Sequence, residues 1–479
     1  MCTLCLVTTV SGAQLRAGPP AQSDVDGLLQ ELQKPYLDLF RASMTPRFAA
    51  TMLEQARRKL TESREQCLRR FKARAKGQER ALAVAQDKLR TQASRLSEAE
   101  RHGLHCEIQN LRVARSQVQM VIDHAIPVAY QNREAKLDLI ERWPAEYVAI
   151  QQTLATGAQR TRRWSDVEDI GFREVARDQD QDVRDGEDAV KQLRVTGLLP
   201  RELEDDAVRG YVRQLAERIA ARSDVHVPLR VTVLDSKEIN AFALPGGFLF
   251  VERGLVEATD DEAQLAGVLA HEMSHVAARH AHKLMQRETI ASIFYQAAQV
   301  AAVILTGGVV GVGMYYALQY GFYGLGLAID LKLLGVSREF ELEADQLGAQ
   351  YAWNAGYDTT GFVRFFDKMA TRVGYVNGIS WFHSHPPFYE RMRQIQRELA
   401  FLPARPSPVV TTPAFDAMKA ALARISARAT EEEAKRPSLV APEQGCPPLP
   451  PEYQPDQPID TLCPPPRTPP SSVPSSPRC

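Results

Sequence analysis

The sequence has almost no net charge, because its 58 lysines and arginines are balanced by 59 aspartates and glutamates. Proteins that bind nucleic acid through its phosphates usually carry a surplus of positive charge. The composition therefore gives no reason to expect a nucleic-acid partner. The chain has 479 residues. At about 100 to 200 residues per domain, this length is enough for roughly two to four domains.

Cysteine is also scarce, with seven residues in the chain. Five cysteines lie beyond the first twelve residues, and none of these has the C-x-x-C spacing of a metal site. Because five is an odd number, they cannot all pair within one chain. The sequence leaves open whether they form a disulfide, bond to another chain or stay as free thiols.

The N-terminus lacks the basic segment that opens a secretory signal peptide, but it contains the other parts of such a signal. Residues 4–10 are mainly apolar, and small residues follow at 11–13. We interpret residues 1–12 as a truncated signal peptide, with an ordinary apolar N-terminus as the alternative. The first interpretation predicts an exported protein of the cell envelope, either periplasmic or associated with a membrane.

Residues 47–126 contain no proline and only two glycines, and they are rich in Ala, Leu, Arg, Glu and Gln. This composition predicts long helices. Apolar residues repeat every seven positions in separate blocks, but longer steps between the blocks shift the phase of the repeat. The shifts favour a helical hairpin or small bundle over one long dimeric coiled coil. We assign residues 35–163 to this helical domain and interpret its charged residues as solvated faces.

An acidic, polar connector follows at residues 164–205, and helical periodicity resumes near Val208. This change predicts a second domain at residues 206–402. Residues 227–234 have strand character, and residues 241–251 predict either two strands or one strand bent at the Pro-Gly-Gly sequence. The second domain is therefore expected to combine helices with a small sheet.

Two stretches of the chain have an unusual composition. Residues 289–329 contain seven glycines and no charged side chain. Their length allows a transmembrane span, whereas the glycines favour a lid over a neighbouring cleft or an element on a membrane surface. Residues 403–479 are expected to be irregular, with a short helix near residues 414–435. Their proline-rich end has few large apolar residues, which predicts a disordered, solvated tail.

One short motif carries metal chemistry. His271, Glu272 and His275 form an H-E-x-x-H sequence, and on a helix the two imidazoles lie one turn apart on the same face, where both can bind zinc. Glu272 is placed beside the metal rather than on it, as a general base must be. Zinc lowers the pKa of a bound water to about 7, so a carboxylate can complete its activation for attack on a peptide carbonyl.

A catalytic zinc also needs a third protein ligand. The sequence SREFELEAD offers several acidic candidates. Glu341 and Asp345 are four residues apart and share a helix face, so that one could bind the metal while the other accepts a hydrogen bond from a ligating imidazole. Glu343 is expected to point to another side of the helix, whereas Glu339 is also possible on spacing alone, and a solvated acidic face is the remaining alternative. From the residues themselves, the choice between these carboxylates stays open.

Four motifs in order, NAFALPGGF, HEMSH, SREFELEAD and SHPPFYER, resemble the peptidase family that includes HtpX membrane proteases, BepA-type and Oma-type proteases and CAAX prenyl protease 1 enzymes. The resemblance covers roughly residues 208–402. It implies one zinc per chain with Glu341 as the third ligand, and Asp345 as support for a ligating histidine. It assigns His385 and Arg391 to stabilising the oxyanion or regulating access to zinc.

The resemblance also implies a binding site for an extended substrate. We expect the strand at 247–252 to be an exposed sheet edge beside the zinc, which would bind peptide backbone. Gly247 and Phe248 belong to that strand, and Asn240 and Ala241 are expected close to the cleft.

Together these features predict an α+β, mainly α fold, with a zincin-like metalloprotease domain and a small β-sheet behind an N-terminal helical hairpin or bundle. The predicted function is a zinc-dependent metalloendopeptidase acting on unfolded or misassembled cell-envelope proteins. The alternative is an envelope chaperone or assembly factor with latent proteolysis. Expected partners are polypeptide substrates, with a membrane surface or membrane proteins as further candidates.

Overall fold

We describe the protein from a computed structural model. The structure describes residues 25–157, 163–164, 167–168, 179–195, 199–285, 338–372, 388–435, Cys446 and Cys463. The predicted signal segment, the uncharged stretch at 289–329 and His385 lie outside these residues.

Five helices form the N-terminal part: α1 (Val25–Glu31), α2 (Tyr36–Ala42), α3 (Ala50–Gln92), α4 (Glu98–Met120) and α5 (Ile126–Thr156), with a π-helical turn at Val121–Ala125 before α5. Helices α3 and α4 pack against each other and form the predicted hairpin. A capping box begins α4, because the Ser97 hydroxyl accepts from the backbone of Glu100 while the Glu100 carboxylate accepts from the backbone of Ser97. Gly157 ends α5 in the left-handed conformation, with φ 71°.

Within the described residues, the remaining elements are a hairpin of two short strands with two residues each, a three-stranded sheet and nine helices. They are β1 (Arg163–Trp164), β2 (Val167–Glu168), α6 (Asp180–Val195), α7 (Asp206–Ala220), β3 (Arg230–Leu234), β4 (Ala241–Leu244), a 3-10 turn (Pro245–Gly247), β5 (Phe248–Glu252), α8 (Arg253–Ala258), α9 (Glu262–Ala277), α10 (His280–Met285), α11 (Arg338–Asn354), α12 (Thr360–Arg372), α13 (Phe388–Phe401) and α14 (Pro413–Lys435). The chain is therefore mainly helical with a small mixed sheet, which confirms the predicted fold class.

The sheet has the order β3-β5-β4, with β5 parallel to β3 and antiparallel to β4. Gly246 and Gly247 make the turn between β4 and β5 with φ values of 74° and 87°, a conformation that favours glycine. The expectation that the strand at 247–252 is an exposed edge is wrong. This strand, β5, is the central strand of the sheet, with β3 on one side and β4 on the other. The edge nearest the predicted cleft residues is β4.

Helix α9 lies at the centre of the second part of the chain, and all its residues are buried. It packs closely against α11 and α12. A methyl group on Gly348 of α11 would lie 3.0 Å from the Cα of His271, and one on Gly267 would lie 2.6 Å from the Cβ of Phe362. Glycine at these two positions thus allows the helix backbones to approach each other.

One continuous hydrophobic core joins the N-terminal helices to the sheet and the later helices. Helix α5 packs against α13, and α2 packs against α12. The backbone N–H of Tyr36 donates to Asp367, 2.8 Å away, and Arg393 pairs with Glu146. The described helices on either side of the acidic connector therefore pack as one body.

Two disulfides connect the C-terminal tail to the helical hairpin. Cys67 of α3 bonds to Cys463, and Cys106 of α4 bonds to Cys446, with Cα–Cα distances of 5.7 and 5.3 Å. These bonds settle the state of four of the five cysteines left open by the sequence. None of the helices in the described ranges combines the length and the apolarity needed to cross a membrane.

Candidate metal centre

The structure brings His271 and His275 of α9 together with Glu341 of α11. The two Nε2 atoms are 3.0 Å apart. The Glu341 carboxylate faces both, with Oε2 3.6 Å from Nε2 of His271 and Oε1 3.4 Å from Nε2 of His275. The three donor atoms lie within 4.8 Å of one another. Of the four acidic candidates in SREFELEAD, Glu341 is the one that converges on both histidines.

The chemistry of these donors fits a transition metal such as zinc, for which two imidazole nitrogens and one carboxylate form a common catalytic ligand set. The exposed fractions of His271, His275 and Glu341 are 0, 8 and 0%. Burial of this many polar atoms is costly unless each is paired or binds a metal. The three buried side chains are thus suited to hold a metal ion.

Asp345 lies one helical turn after Glu341 and approaches the other side of the His271 ring. Its Oδ1 is 2.9 Å from Nδ1 of His271. A carboxylate in this position keeps the proton on Nδ1 and leaves Nε2 free for a metal. The supporting role that the family resemblance implies for Asp345 stays a prediction.

Arg391 of α13 contacts both acidic residues of α11. Its Nη1 lies 2.9 Å from Oε2 of Glu341, and its Nε and Nη2 donate to the two carboxylate oxygens of Asp345. Burial acts to lower the pKa of Arg391, but the nearby carboxylates of Asp345 and Glu341 outweigh it and raise that pKa. The charged guanidinium is therefore directed at the carboxylates that surround the histidines.

Glu272, the expected base, follows His271 on α9 and is 1% exposed. Its negative charge is close enough to contribute to the raised pKa of Arg391. Glu272 therefore lies in the same buried charged cluster as the candidate ligands. His385, the other residue expected to act in catalysis, lies outside the described residues and stays a prediction.

The substrate-binding candidates lie on both faces of the sheet. Ala241, on the edge strand, packs into the main core together with α9 residues, and Asn240 precedes it and accepts a hydrogen bond from the Glu252 backbone at 2.9 Å. Phe248 packs with residues of α6 on the other face. Gly247 lies in the turn before it, where an added methyl group would meet Pro228 and Val227 ahead of β3. Neither Gly247 nor Phe248 lies on the edge strand β4.

His280 and Glu343 form a second group at the metal centre, which the sequence reasoning did not assign. Nδ1 of His280 is 2.8 Å from Nδ1 of His275, and its Nε2 is 3.0 Å from Oε2 of Glu343. Burial lowers the pKa of His280 despite the opposing effect of Glu343. A histidine five residues after an H-E-x-x-H motif is the one signal in the sequence that could have indicated this contact.

Two helices that present two histidines and a glutamate beside a small mixed sheet are an arrangement typical of metallopeptidases. Residues 206–399 match the family model described as peptidase family M48. The matched part is less than half of the chain, so the similarity to this family concerns that part alone.

Several curated relatives match a part of the chain of similar length. The beta-barrel assembly-enhancing protease of Yersinia pestis is 29% identical over 199 residues, which cover 41% of this chain and 39% of that protein. The mitochondrial metalloendopeptidase OMA1 of Schizosaccharomyces pombe is 30% identical over 192 residues, with 40% and 52% covered.

A third relative, the metalloprotease YcaL of Escherichia coli K12, is 33% identical over 173 residues, which cover 36% of this chain and 63% of that protein. The matched part therefore spans less than two thirds of each of these three relatives. The similarity does not extend over the whole length of these proteins.

Proposed function

We propose that the protein is a zinc-dependent endopeptidase in which His271, His275 and Glu341 hold one zinc ion. The observation that carries the proposal is the convergence of these three buried donor groups from two helices of an M48 domain. When bound, zinc would lower the pKa of a water molecule and polarise the substrate carbonyl. Glu272 would accept a proton from that water and deliver it to the leaving amine.

The proposed substrates are unfolded or misassembled proteins of the cell envelope. The name of the Yersinia pestis relative, a protease that enhances beta-barrel assembly, supports this class. The two disulfides support an oxidising compartment, since such bonds persist mainly in exported proteins. An extended peptide can bind to a sheet edge without strict sequence preference, and β4 is the edge strand beside α9.

Access to this site requires a change of structure. The four residues of β4 are all buried, as are the three candidate ligands. We propose that residues 289–329 control this access and contact a membrane surface, because they connect the part of the chain with α9 to the part with α11 and carry no charge. Deleting them should raise peptidase activity and lower retention on carbonate-washed membranes. Unchanged values for both would refute this part of the proposal.

The central test replaces the proposed base. Glu272→Gln should retain zinc and fold but lose nearly all turnover of a quenched fluorescent peptide, because the amide keeps the shape and cannot accept the proton. Glu339→Gln makes the same change at an exposed glutamate of α11 and should behave as wild type. Wild-type turnover by zinc-loaded Glu272→Gln protein would refute the mechanism.

Metal analysis tests the ligands independently of turnover. The purified protein should hold about one zinc per chain, as a site with three protein ligands predicts. His271→Ala, His275→Ala and Glu341→Ala should each lose most of it. Asp345→Ala should weaken zinc binding by about 10- to 100-fold, because it acts through His271. Full zinc retention in the Glu341→Ala protein would assign the third ligand to another residue.

The second candidate function is a chaperone or assembly factor whose proteolysis is latent. The buried state of the site favours it, and so does the name of the Yersinia pestis relative. The Glu272→Gln protein separates the two functions, because a chaperone would keep its biological effect when cleavage is lost.

A further inference from the structure

We propose that His280 and Glu343 are positioning residues that fix the ring orientation and the tautomer of His275. The inference rests on the proposed function, because it takes His275 as a metal ligand. His280 and Glu343 belong neither to the H-E-x-x-H motif nor to the predicted ligand set.

The two candidate histidine ligands are supported in different ways. His271 has the carboxylate of Asp345 directly against its Nδ1, at 2.9 Å. For His275, the imidazole of His280 takes the corresponding position, with its Nδ1 2.8 Å from Nδ1 of His275. The carboxylate of Glu343 contacts the opposite nitrogen of the His280 ring. The Glu343 carboxylate therefore reaches His275 through an intervening imidazole.

The hydrogen bonds from His275 to His280 and from His280 to Glu343 run in one direction. His275 turns its Nε2 toward His271 and Glu341, so a neutral His275 that binds metal there carries its proton on Nδ1. The facing Nδ1 of His280 must then accept, which places the proton of His280 on Nε2. That N–H points at Oε2 of Glu343, 3.0 Å away. Each donor thus meets an acceptor.

A break in the helix brings His280 to this position. On a continuous helix, a residue five positions after His275 would lie about 140° around the axis, away from the ring. Helix α9 ends at Ala277, and Arg279 adopts φ 55°, a left-handed conformation unusual for arginine. Asp182 of α6 holds the Arg279 side chain at 2.6 and 2.7 Å. The chain therefore turns before α10 begins at His280.

Packing then fixes the His280 ring. It is 1% exposed and stacks on Phe340 of α11, with ring centroids 4.3 Å apart and an interplanar angle of 9°. Phe340 and Glu343 both belong to α11, the helix that carries Glu341. Helix α11 therefore provides the candidate ligand Glu341. The same helix also holds in place His280, the residue that contacts the candidate ligand His275.

The experiment measures zinc affinity by competition with a chelator, together with thermal stability. His280→Phe keeps an aromatic ring for Phe340 but removes the acceptor, and should weaken zinc binding by about 10- to 100-fold. His280→Asn can place its amide oxygen where Nδ1 stood and should recover most of the lost affinity. The control His226→Phe changes an exposed histidine of the same domain and should bind zinc as wild type.

Glu343→Ala provides a second test that perturbs the core less, because this side chain is 21% exposed. It should weaken zinc binding several-fold without a matching loss of thermal stability. The visible spectrum of the cobalt-substituted protein should also change in His280→Phe and return toward wild type in His280→Asn, which a purely structural role of His280 would not produce.

Three results would overturn the inference: wild-type zinc affinity in His280→Phe, no recovery in a folded His280→Asn protein, or wild-type affinity in Glu343→Ala. If His280→Phe does not fold, the other two variants decide. A wild-type protein that binds no zinc would instead refute the proposed function. Failure of the inference and failure of the function are therefore distinguishable.

Discussion

Arg391 donates two parallel hydrogen bonds to Asp345, with Nε and Nη2 each 2.7 Å from a carboxylate oxygen. The third guanidinium nitrogen, Nη1, lies 2.9 Å from Glu341. One arginine of α13 therefore connects the candidate third ligand to the carboxylate that supports His271. A bidentate contact of this kind fixes orientation as well as charge.

The first prediction concerns Arg391→Lys, which keeps the positive charge but cannot form the paired hydrogen bonds. We expect zinc affinity to fall, because Glu341 and Asp345 lose their fixed orientation. Arg391→Ala should lose more, with a decrease in unfolding free energy of about 3 to 5 kcal/mol, because buried carboxylates are left without their partner. Chelator competition and urea unfolding measure the two quantities.

The same variants separate two roles for Arg391. A residue that stabilises the oxyanion should lower kcat and leave zinc affinity unchanged, whereas a positioning residue should lower the affinity itself. A folded Arg391→Lys protein with wild-type zinc affinity and reduced kcat would support the oxyanion role that the family resemblance implied and contradict the positioning role.

The second prediction tests the close approach of α11 to α9. In Gly348→Ala, the added methyl group would lie 3.0 Å from both the Cα and the backbone nitrogen of His271, so the helices must separate slightly. Overpacking of this kind costs about 1 to 3 kcal/mol. We expect lower thermal stability and weaker zinc binding, because Glu341 moves relative to His271.

Gly77→Ala is the matched control for Gly348→Ala. A methyl group at Gly77 of α3 meets no atom within 4 Å, and alanine is favoured over glycine in a helix interior by about 0.5 to 1 kcal/mol. This variant should gain stability and bind zinc as wild type. If Gly348→Ala behaves in the same way as Gly77→Ala, the proposed steric limit at His271 does not exist.

Local patterns in the sequence predicted much of the candidate centre. The pairing of His271 with His275 follows from a four-residue step on one helix, and the structure has both rings on α9. The choice of Glu341 over its acidic neighbours needed the family resemblance, since helix spacing alone allowed several carboxylates. The mainly helical fold followed from composition and periodicity.

Non-local features were beyond reach of the sequence. The central place of β5 depends on its parallel pairing with β3, a contact that no local pattern encodes. His280 reaches His275 because the chain turns at Arg279, whereas a continuous helix would separate the two rings. The cysteine partners are 396 and 340 residues apart, and connectivity over such distances cannot be read from spacing.

The third prediction is a pH dependence of stability at the start of α12. Asp358 accepts from the Thr360 backbone at 3.0 Å and from Arg364 at 2.8 Å. Burial acts to raise the pKa of Asp358, but the hydrogen bonds and charge of Arg364 and Thr360 outweigh it and lower that pKa below its usual 3.8. The carboxylate therefore stabilises the fold in its charged form.

A lowered pKa means that the unfolded state binds the proton more readily than the folded state. The stabilising contribution of Asp358 is then complete above pH 3.8 and is lost as the pH falls through the folded-state pKa below that value. Asp358→Asn should melt well below wild type at pH 7, and the difference should shrink below pH 3.8. The exposed residue Asp188 provides the control variant Asp188→Asn. A melting difference that is independent of pH would contradict the prediction.

The last prediction concerns the two disulfides between the tail and the helical hairpin. Each closes a long loop, and a bridge of this kind stabilises a fold by about 2 to 4 kcal/mol, mainly by restricting the unfolded chain. The Cys67–Cys463 and Cys106–Cys446 bonds join neighbouring parts of the chain. While one is intact, the loop that the other closes is much shorter than several hundred residues but still long, so the loss of a single bridge should cost somewhat less than half of the loss of both.

We therefore expect a clear decrease in melting temperature for Cys463→Ser with Cys67→Ser, and a decrease more than twice as large when Cys106→Ser and Cys446→Ser are added. Zinc affinity should remain at the wild-type value in both proteins, because the bridges lie on α3 and α4 while the candidate ligands lie on α9 and α11. Calorimetry and chelator competition on the same samples measure both properties. Loss of zinc on removal of the bridges would show that the tail connection supports the metal centre, contrary to this prediction.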